Sequence, residues 1–269
     1  MPPHLIYPLP QTPVPHTEPV TFEKIDVLGV PVAALTRPML TSIIYHAVVS
    51  ETRGWITYAN IHSVNEASSS PWLKKFYQES LICYCDGQGI RLGAKLLGQS
   101  IPERITLPDF LEDLCLLARD HKLTLFLLGS ADDVAERAAK VLQERYPGLM
   151  ITGFHRGYFG PGETQAMIET INKANPDILL IGMGIPFQEE WIRDNFRHLS
   201  ATIAWAAGGV LELISGEKSR CPRWMSSCGL EWVYRLFQEP RRLWGRYLLG
   251  NPLFLFRILA HKLTRTLSS

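Results

Sequence analysis

The chain has 269 residues, of which 46% are hydrophobic and 20% are charged, and its formal net charge is +1. This composition excludes a largely disordered chain, because apolar residues suffice for one large core and charge is near its ordinary level. The five cysteines are odd in number and irregular in spacing, which excludes a secreted disulfide framework and favours a reducing compartment. Ten Lys or Arg residues but only two acids lie from Lys218 onward, so basic character is concentrated in the C-terminal fifth.

The first half of the chain is predicted to alternate short strands with helices. Residues 1–21 are rich in proline and lack the apolar segment of a secretory signal, which predicts a flexible lead-in. From Phe22, "IDVLGVPVAAL" predicts a β-hairpin around Gly29. The elements predicted next are a helix over 38–51, the strand "WITYANI", one helix over 63–79, the strand "LICYCD", a helix over 89–97 and a helix from Pro108 to His121.

The second half alternates more regularly. Its predicted strands are "LTLFLLG", "LMITGF", "DILLIGMG" and "ATIAWAA". The predicted helices cover 130–146, with Ser130 as N-cap, 163–174, 187–196 and a stretch from about Val210. Buried strands that alternate with amphipathic helices predict a doubly wound, mainly parallel α/β sheet of Rossmann-like type, whose ligands bind beyond the carboxyl ends of the strands.

Residues 217–269 contain no predicted strand. Large apolar and aromatic residues alternate there with Arg and Lys, which predicts two or three helices broken at Pro240 and at Asn251–Pro252. The predicted parts are therefore the lead-in, an α/β domain over 22–216 and a basic helical appendage over 217–269. Such an appendage is more typical of a membrane surface than of nucleic-acid binding. A helix packed on the domain with its arginines in solvent is the open alternative, and no transmembrane helix is predicted.

Asn60 and Asp86 end two of the predicted strands. Asp86 is followed by Gly87 and Gly89, and Asp before Gly is common in ordinary turns. The alternative is a carboxylate directed into a crevice at the strand ends. Cys83 and Cys85 lie in the same strand, but no second pair of ligands accompanies them, so buried thiols are expected and no metal site is predicted.

Two further strand ends carry glycines. Gly129 precedes a helix in a turn that resembles a phosphate-binding turn, although it lacks G-x-G-x-x-G and an ordinary βα turn explains it equally well. In "GMGIPFQEEWI", Gly184 allows the backbone to approach a ligand, and Gln188 can offer both a donor and an acceptor. Helix capping by Glu189 explains part of this motif but not its glycines.

Taken together, the chain resembles the WecG/TagA/CpsF family of bacterial glycosyltransferases from about residue 26 to residue 256. The resemblance rests on the order and spacing of "DGQGI", "PERIT..D", "PDILLIGMGIPFQEEWI", "GEKSRCPRWM", "GLEWVYRL", "EPRRL" and "RYL". It implies inverting transfer of a hexose or N-acetylhexosamine from a UDP-sugar to a polyprenyl-diphosphate-linked acceptor in cell-surface polysaccharide synthesis. It also implies no metal ion or other cofactor, no nucleic-acid partner, and a cytoplasmic enzyme bound peripherally to the anionic inner face of the cell membrane.

The resemblance assigns roles to particular residues. Asp86 takes the place of the proposed general base, and Arg104 takes the place of an active-site arginine. Arg235, Arg241, Arg242 and Arg246 fall in the appendage, whose arginines are thought in this family to close over the diphosphate. The complete substrate-binding set expected on this basis is Tyr58, Asn60, Thr106, Asp109, Gly129, Gly184, Gln188, Glu189, Arg235 and Arg242.

The chain also departs from the family pattern. Tyr58 stands where members often have Thr, Thr106 to Asp109 replace a "TGSD" stretch, and Glu212 follows "AAGGV" where many have Asp. These departures leave the reaction type intact but leave the sugar and the acceptor open. A catalytically impaired nucleotide-sugar-binding protein is the alternative that Tyr58 suggests, whereas a dinucleotide-dependent oxidoreductase is disfavoured by the missing glycine motif.

Overall fold

The computed structural model describes residues 20–267, so almost all of the predicted proline-rich lead-in lies outside the described residues. One sheet contains eight strands: β1 (Lys24–Val27), β2 (Val30–Ala33), β3 (Gly54–Ala59), β4 (Ile82–Cys85), β5 (Thr124–Gly129), β6 (Met150–His155), β7 (Ile178–Gly182) and β8 (Ile203–Ala206). Their order is β1-β2-β4-β3-β8-β7-β5-β6. Only β1 and β2, the predicted hairpin, pair antiparallel; the other pairs are parallel, which confirms the doubly wound α/β class.

Helices cover the sheet and form the C-terminal region. They are α1 (Arg37–Val49), α2 (Ile61–Ser69), α3 (Pro71–Glu79), α4 (Gln88–Leu96), α5 (Leu107–Asp120), α6 (Val134–Arg145), α7 (Thr164–Ala174), α8 (Phe187–Asn195), α9 (Val210–Ile214), α10 (Arg223–Ser227), α11 (Glu231–Gln238), α12 (Pro240–Trp244) and α13 (Gly250–Leu267). A π-helical turn, Gly245–Leu249, joins α12 to α13.

The central strands are apolar throughout because helices bury both of their faces. Every residue of β4, β7 and β8 is buried, as a parallel sheet requires. The edge strand β6 instead alternates between half-buried and exposed residues. The strands β3 and β8 are neighbours in the sheet although β3 comes much earlier in the chain. The order in which the chain adds strands to the sheet therefore reverses between β3 and β8. In open α/β sheets, ligand crevices form at such a point.

Three predicted boundaries were wrong. The helix predicted over 63–79 is two helices, because Ser70 adopts an extended backbone before Pro71. Ser130 is not an N-cap: it has a left-handed backbone with φ of 59°, and Asp133 holds the cap position of α6. The break predicted at Asn251–Pro252 is absent, because α13 continues directly from the π-helical turn and runs through Pro252.

The C-terminal appendage packs on the α/β domain through α13. Phe254 and Ile258 are fully buried in the same core as the sheet. A Cβ added to Gly93 on α4 would lie 2.7 Å from the Phe254 ring, so the absence of a side chain there permits this packing. Asn65 on α2 donates a hydrogen bond of 2.7 Å to the carbonyl of Gly250. The appendage therefore shares the core of the domain.

No helix within residues 20–267 combines the length and the apolar character that crossing a membrane requires.

Candidate active site

A cavity of about 1330 Å³ opens at the carboxyl edge of the sheet, between the strand ends and the appendage. Eight of the residues predicted for the site line it: Tyr58, Asn60, Asp86, Arg104, Thr106, Gly184, Arg235 and Arg242. The other four, Asp109, Gly129, Gln188 and Glu189, lie behind its wall. The structure thus brings most of the predicted residues together, and it gives the remaining four supporting positions.

Asp86 lies at the base of the cavity, in the turn between β4 and α4. Its backbone N–H donates to the carbonyl of Ala59 at 2.8 Å, which extends the sheet by one residue and fixes the start of the turn. Gly87 follows with a φ of 113°, a conformation that a side chain would oppose. The glycine is therefore required by the turn, and the turn places the carboxylate inside the cavity.

The surroundings of Asp86 favour its neutral form. Burial, and next the negative charge of Glu231, raise the pKa of Asp86 to about 6, against the opposing effects of Arg235, Asn60 and Arg104. The Asn60 Nδ2 group lies 3.5 Å from Asp86 Oδ2. Asn60 itself is held as the N-cap of α2, because its Oδ1 accepts from the backbone of Ser63 at 3.0 Å. A carboxylate with this pKa can take a proton near neutral pH.

Arg104 is fixed by acids on two sides. Its guanidinium donates to Asp109 Oδ2 at 3.2 Å and lies 3.9 Å from Glu231 on the appendage. Asp109 also accepts from Thr106 Oγ1 at 2.7 Å and pairs with Arg220. Burial alone would raise the pKa of Asp109, but these hydrogen bonds outweigh it and hold the pKa below its usual value. Asp109 therefore positions the arginines and does not line the cavity.

The appendage contributes a second row of ion pairs. Arg235 pairs with Glu231 at 2.6 Å, one helical turn away. Lys218 pairs with Glu212 at 2.6 Å and with Glu239 at 3.1 Å, and Glu239 also pairs with Arg242. Each basic side chain of the cavity roof named here is therefore paired with a carboxylate.

Gln188 and Glu189 belong to a buried network behind the cavity wall. Gln188 Oε1 accepts a hydrogen bond of 2.9 Å from the backbone of Gly208, and its Nε2 donates to Glu189 at 2.9 Å and to Tyr58 at 3.3 Å. Burial raises the pKa of Glu189 to about 7, although the hydrogen bond from Gln188 works against this. Burial, and next the charges of Glu189 and Asp86, raise the pKa of Tyr58 and keep its phenol neutral. Through this network, α8 fixes the turn after β8.

The two predicted glycines differ in role. Gly129 is buried inside the sheet, and a Cβ there would collide with the backbone of Gly182 on β7, so its function is close strand packing. Gly184 lines the cavity with a φ of 79°, and its carbonyl accepts from the Gln188 N–H at 2.9 Å. The "GMGIP" turn is thus part of the cavity floor.

Several lining residues were missed by the sequence analysis. Glu231, Lys218 and Arg220 lie inside motifs that marked the family, but only folding shows that their side chains reach the cavity. His62 and Arg246 also line it. Burial, and next the positive charge of Arg246, lower the pKa of His62 to about 4, so this imidazole is neutral. No spacing signal marks His62, because α2 and the appendage are far apart in the chain, whereas Arg246 lies in the "RYL" motif and is one of the appendage arginines that the resemblance places over the diphosphate.

Among the residues that the structure describes, no three or more His, Cys, Asp or Glu side chains are grouped so that they could hold a metal ion.

The fold and this site define a class: an α/β protein with a carboxylate at a strand end and paired arginines over a strand-edge cavity. A sequence profile of the Glycosyl transferase WecG/TagA/CpsF family matches residues 25–268. The chain therefore belongs to this family and is a glycosyltransferase.

Named relatives agree with this assignment. An N-acetylglucosaminyldiphosphoundecaprenol N-acetyl-beta-D-mannosaminyltransferase of Staphylococcus aureus (strain MW2) is 30% identical over 241 residues, which cover 89% of this chain and 93% of the relative. Relatives with the same name and the same identity and coverage come from the strains NCTC 8325 / PS 47 and COL of that species.

Proposed function

We propose that this glycosyltransferase moves a hexose or N-acetylhexosamine from a UDP-sugar to a polyprenyl-diphosphate-linked acceptor, with inversion at the anomeric carbon. The observation that carries the proposal is Asp86, a half-buried carboxylate with a pKa raised to about 6 in a cavity roofed by arginines. The names of the relatives support an acceptor of this class, since they specify an N-acetylglucosaminyl-diphosphoundecaprenol substrate.

In the proposed reaction, Asp86 takes the proton of the acceptor hydroxyl while that oxygen attacks the anomeric carbon from the face opposite the leaving group. Asn60 directs its amide toward the carboxylate at 3.5 Å and orients it. A single base of this kind suffices for an inverting transfer, and its usual effect on rate is about 10²- to 10⁴-fold.

The leaving UDP develops negative charge as the glycosidic bond breaks. Arg104, Arg235 and Arg242 line the cavity, and each can exchange a carboxylate partner for a phosphate oxygen. We propose that these arginines stabilise the diphosphate without a metal ion or other cofactor. Undiminished turnover in the presence of excess EDTA supports this part of the proposal, and loss of turnover restored by a divalent cation contradicts it.

A polyprenyl-diphosphate-linked acceptor lies in a membrane. The exposed side chains of the appendage are suited to contact with a membrane surface. Apolar groups including Leu249 and Phe256 are more than half exposed, and basic residues predominate from Lys218 onward. We propose that the protein binds peripherally to the anionic inner face of the cell membrane, with its active site in the cytoplasm.

The test is a transfer assay with a panel of UDP-sugars and a short-chain polyprenyl-diphosphate acceptor. UDP release that depends on the acceptor, together with a product of inverted anomeric configuration by NMR, is the expected result. A product of retained configuration, or donor hydrolysis that the acceptor does not stimulate, would contradict the proposal.

A further inference from the structure

Two buried polar groups at the end of the cavity farthest from Asp86 have no partner among the described residues. These are the Ser130 hydroxyl and the Trp191 indole N–H. The two residues are only 4% and 9% exposed, yet both line the cavity. Buried polar groups are almost always hydrogen-bonded, because water no longer solvates them. Unsatisfied groups on residues that line a cavity therefore point to a ligand.

The backbone of Ser130 has an unusual conformation that neighbouring strand ends hold in place. Its φ of 59° is left-handed, which is uncommon for a residue with a side chain and is concentrated at functional sites. Two hydrogen bonds hold this conformation: the Ser130 N–H donates to the carbonyl of Gly182 at 2.9 Å, and the Gly157 N–H donates to the Ser130 carbonyl at 2.8 Å. The hydroxyl is thus fixed in place with no intramolecular partner of its own.

The sheet order gives the distance between the two ends of the cavity. Asp86 follows β4 and Ser130 follows β5, and four strand spacings separate these strands. Neighbouring strands lie about 4.8 Å apart, so the two ends are roughly 19 Å from each other along the sheet edge. An extended nucleoside-diphosphate sugar has a comparable length. With the sugar beside Asp86, its nucleoside would reach the Ser130 end.

The charges of the lining residues support the same orientation. Lys218 and Arg242 are linked through Glu239, and Lys218 also pairs with Glu212 on α9, directly after β8 in the middle of the sheet edge. The lining residues grouped with Ser130 in the structure, Gly157, Phe159, Met183 and Trp191, include no basic side chain. A diphosphate requires cations, whereas an uncharged heterocycle does not. The middle of the cavity therefore suits the diphosphate and the Ser130 end suits the base.

The walls of this end include two aromatic rings and a thioether. The Phe159 ring packs against Trp191 at a centroid distance of 6.4 Å, in an edge-to-face arrangement. Gly157 lies so close to Met183 that an added Cβ would be 2.9 Å from the Met183 side chain. The loop after β6 is thus held against the turns after β5 and β7. Aromatic and thioether groups of this kind are suitable contacts for a planar ring.

We infer that Ser130 and Trp191 form the nucleobase subsite, and that it favours uracil over adenine. The inference rests on the proposed UDP-sugar donor. An indole N–H can only donate, so it requires a carbonyl oxygen on the base, whereas the serine hydroxyl can donate or accept. Uracil presents two carbonyl oxygens on either side of an N–H. Adenine presents no carbonyl oxygen and would direct an amino group at a donor.

The first test is calorimetric binding of uridine, UDP and inorganic pyrophosphate to the full chain. Trp191→Phe and Ser130→Ala should each weaken the binding of uridine and of UDP, roughly three- to tenfold for one lost hydrogen bond. Within each variant the factor should be the same for both ligands, and the affinity for pyrophosphate should not change. Arg242→Gln should show the opposite pattern: it should weaken the binding of UDP and pyrophosphate but not the binding of uridine. Trp244→Phe, which removes an indole outside the cavity, is the matched control. Wild-type affinity for uridine in both subsite variants would overturn the inference.

A second test needs no variant. Crystals of the wild-type chain with 5-iodo-UDP should show the anomalous iodine peak beside Trp191, and a peak beside Asp86 would overturn the inference. The proposed donor can fail separately. If the wild-type chain binds neither uridine nor UDP, both proposals are wrong. If UDP-sugars are used normally by both subsite variants and the iodine lies elsewhere, only the subsite is wrong.

Discussion

The side-chain carbonyl of Gln188 accepts a hydrogen bond of 2.9 Å from the backbone N–H of Gly208, so a residue at the start of α8 holds the turn that follows β8. The same side chain donates to the Tyr58 hydroxyl at the end of β3. One buried amide therefore connects the ends of three strands that border the cavity, β3, β7 and β8. Gln188 thus holds turns that line the cavity and does not line the cavity itself.

Replacing Gln188 should therefore damage both stability and donor binding. Gln188→Leu leaves the Gly208 N–H without an acceptor, and we expect a loss of about 1–3 kcal/mol in the free energy of unfolding. The Km for the UDP-sugar should rise, because the Gly208 turn lines the cavity. Chemical denaturation and steady-state kinetics measure the two effects. Gln165→Leu, at an exposed amide on α7, is the control, and equal results for the two variants would contradict the assignment.

Glu189 should make stability depend on pH. Burial raises its pKa to about 7 from an ordinary value of 4.5. Between these values the folded protein holds a proton that the unfolded chain has lost, so stability falls as pH rises through this window. The full effect is about 3 kcal/mol. Glu189→Gln has no such proton, so its stability relative to wild type should increase between about pH 4.5 and pH 7.5.

The difference between the two proteins isolates Glu189 from groups that they share. His62 has its pKa lowered to about 4, so its contribution to stability is lost as pH falls. This contribution is the same in wild type and in Glu189→Gln, so it cancels in the difference. Glu190→Gln, at an exposed neighbour on the same helix, controls for the loss of a carboxylate. Parallel stability curves for Glu189→Gln and wild type over this pH range would show that Glu189 ionises normally.

The sequence predicted the sheet and its active edge because both follow from local patterns. Buried strands are continuous apolar runs, and the residue after each run marks the carboxyl edge, which is how Asp86 and Asn60 were found. It could not predict which neighbours face the cavity. Gln188 and Glu189 were expected to contact substrate, but their side chains point into the core, and the direction depends on how α8 docks on the sheet.

Two errors share a different cause: tertiary contacts changed the local geometry. Ser130 has a residue type typical of an N-cap, but its N–H donates to the Gly182 carbonyl at the end of β7 and its carbonyl accepts from the Gly157 N–H, and these contacts hold it in a left-handed backbone before α6 begins. Asn251–Pro252 signals a break, yet the turn that precedes it is π-helical and α13 continues. A proline ring clashes with the carbonyl four residues earlier in a regular α-helix, and here that carbonyl belongs to the π-helical turn.

Asp86→Asn should remove most turnover while leaving UDP binding nearly intact. The amide keeps the size of the carboxylate but cannot accept a proton, so we expect kcat to fall by about 10²- to 10⁴-fold. In the wild-type protein, activity should rise with pH through about 6, since the base is active only when deprotonated. This rise should be absent from the variant. Asp120→Asn, at an exposed acid on α5, should keep both the rate and the pH profile, and near-normal turnover in Asp86→Asn would exclude Asp86 as the base.

The contact between Gly93 and Phe254 should control docking of the appendage. In Gly93→Ala the new methyl group lies 2.7 Å from the Phe254 ring, so overpacking should cost about 1–3 kcal/mol and lower activity by displacing the appendage arginines. Phe254→Ala alone leaves a cavity and should cost about 3–5 kcal/mol. In the double variant the alanine methyl occupies part of that space, so its loss should be smaller than the sum of the two single losses. Simple additivity would show that α13 does not dock through this contact.

Membrane binding should depend on exposed apolar side chains of the appendage. Leu249 and Phe256 are 62% and 69% exposed, so Leu249→Ser and Phe256→Ser should leave the fold intact. Burial of such a side chain in a bilayer contributes about 1.5–3 kcal/mol, and each substitution should therefore weaken vesicle binding by roughly tenfold or more. Sedimentation with vesicles containing anionic lipid measures the effect. Binding should also weaken with added salt, because each Lys or Arg near the surface contributes about 1 kcal/mol through attraction that salt screens.

Met150→Ser provides the control for this experiment, because Met150 is 45% exposed on the edge strand β6, away from the appendage. It removes a comparable apolar group and should not change sedimentation. Turnover separates membrane binding from catalysis: the two appendage variants should keep the wild-type kcat with a short, water-soluble acceptor analogue and lose activity only with a vesicle-bound acceptor. Equal loss with both acceptors would mean that these side chains support the active site directly. Unchanged sedimentation of both variants would mean that another surface binds the membrane.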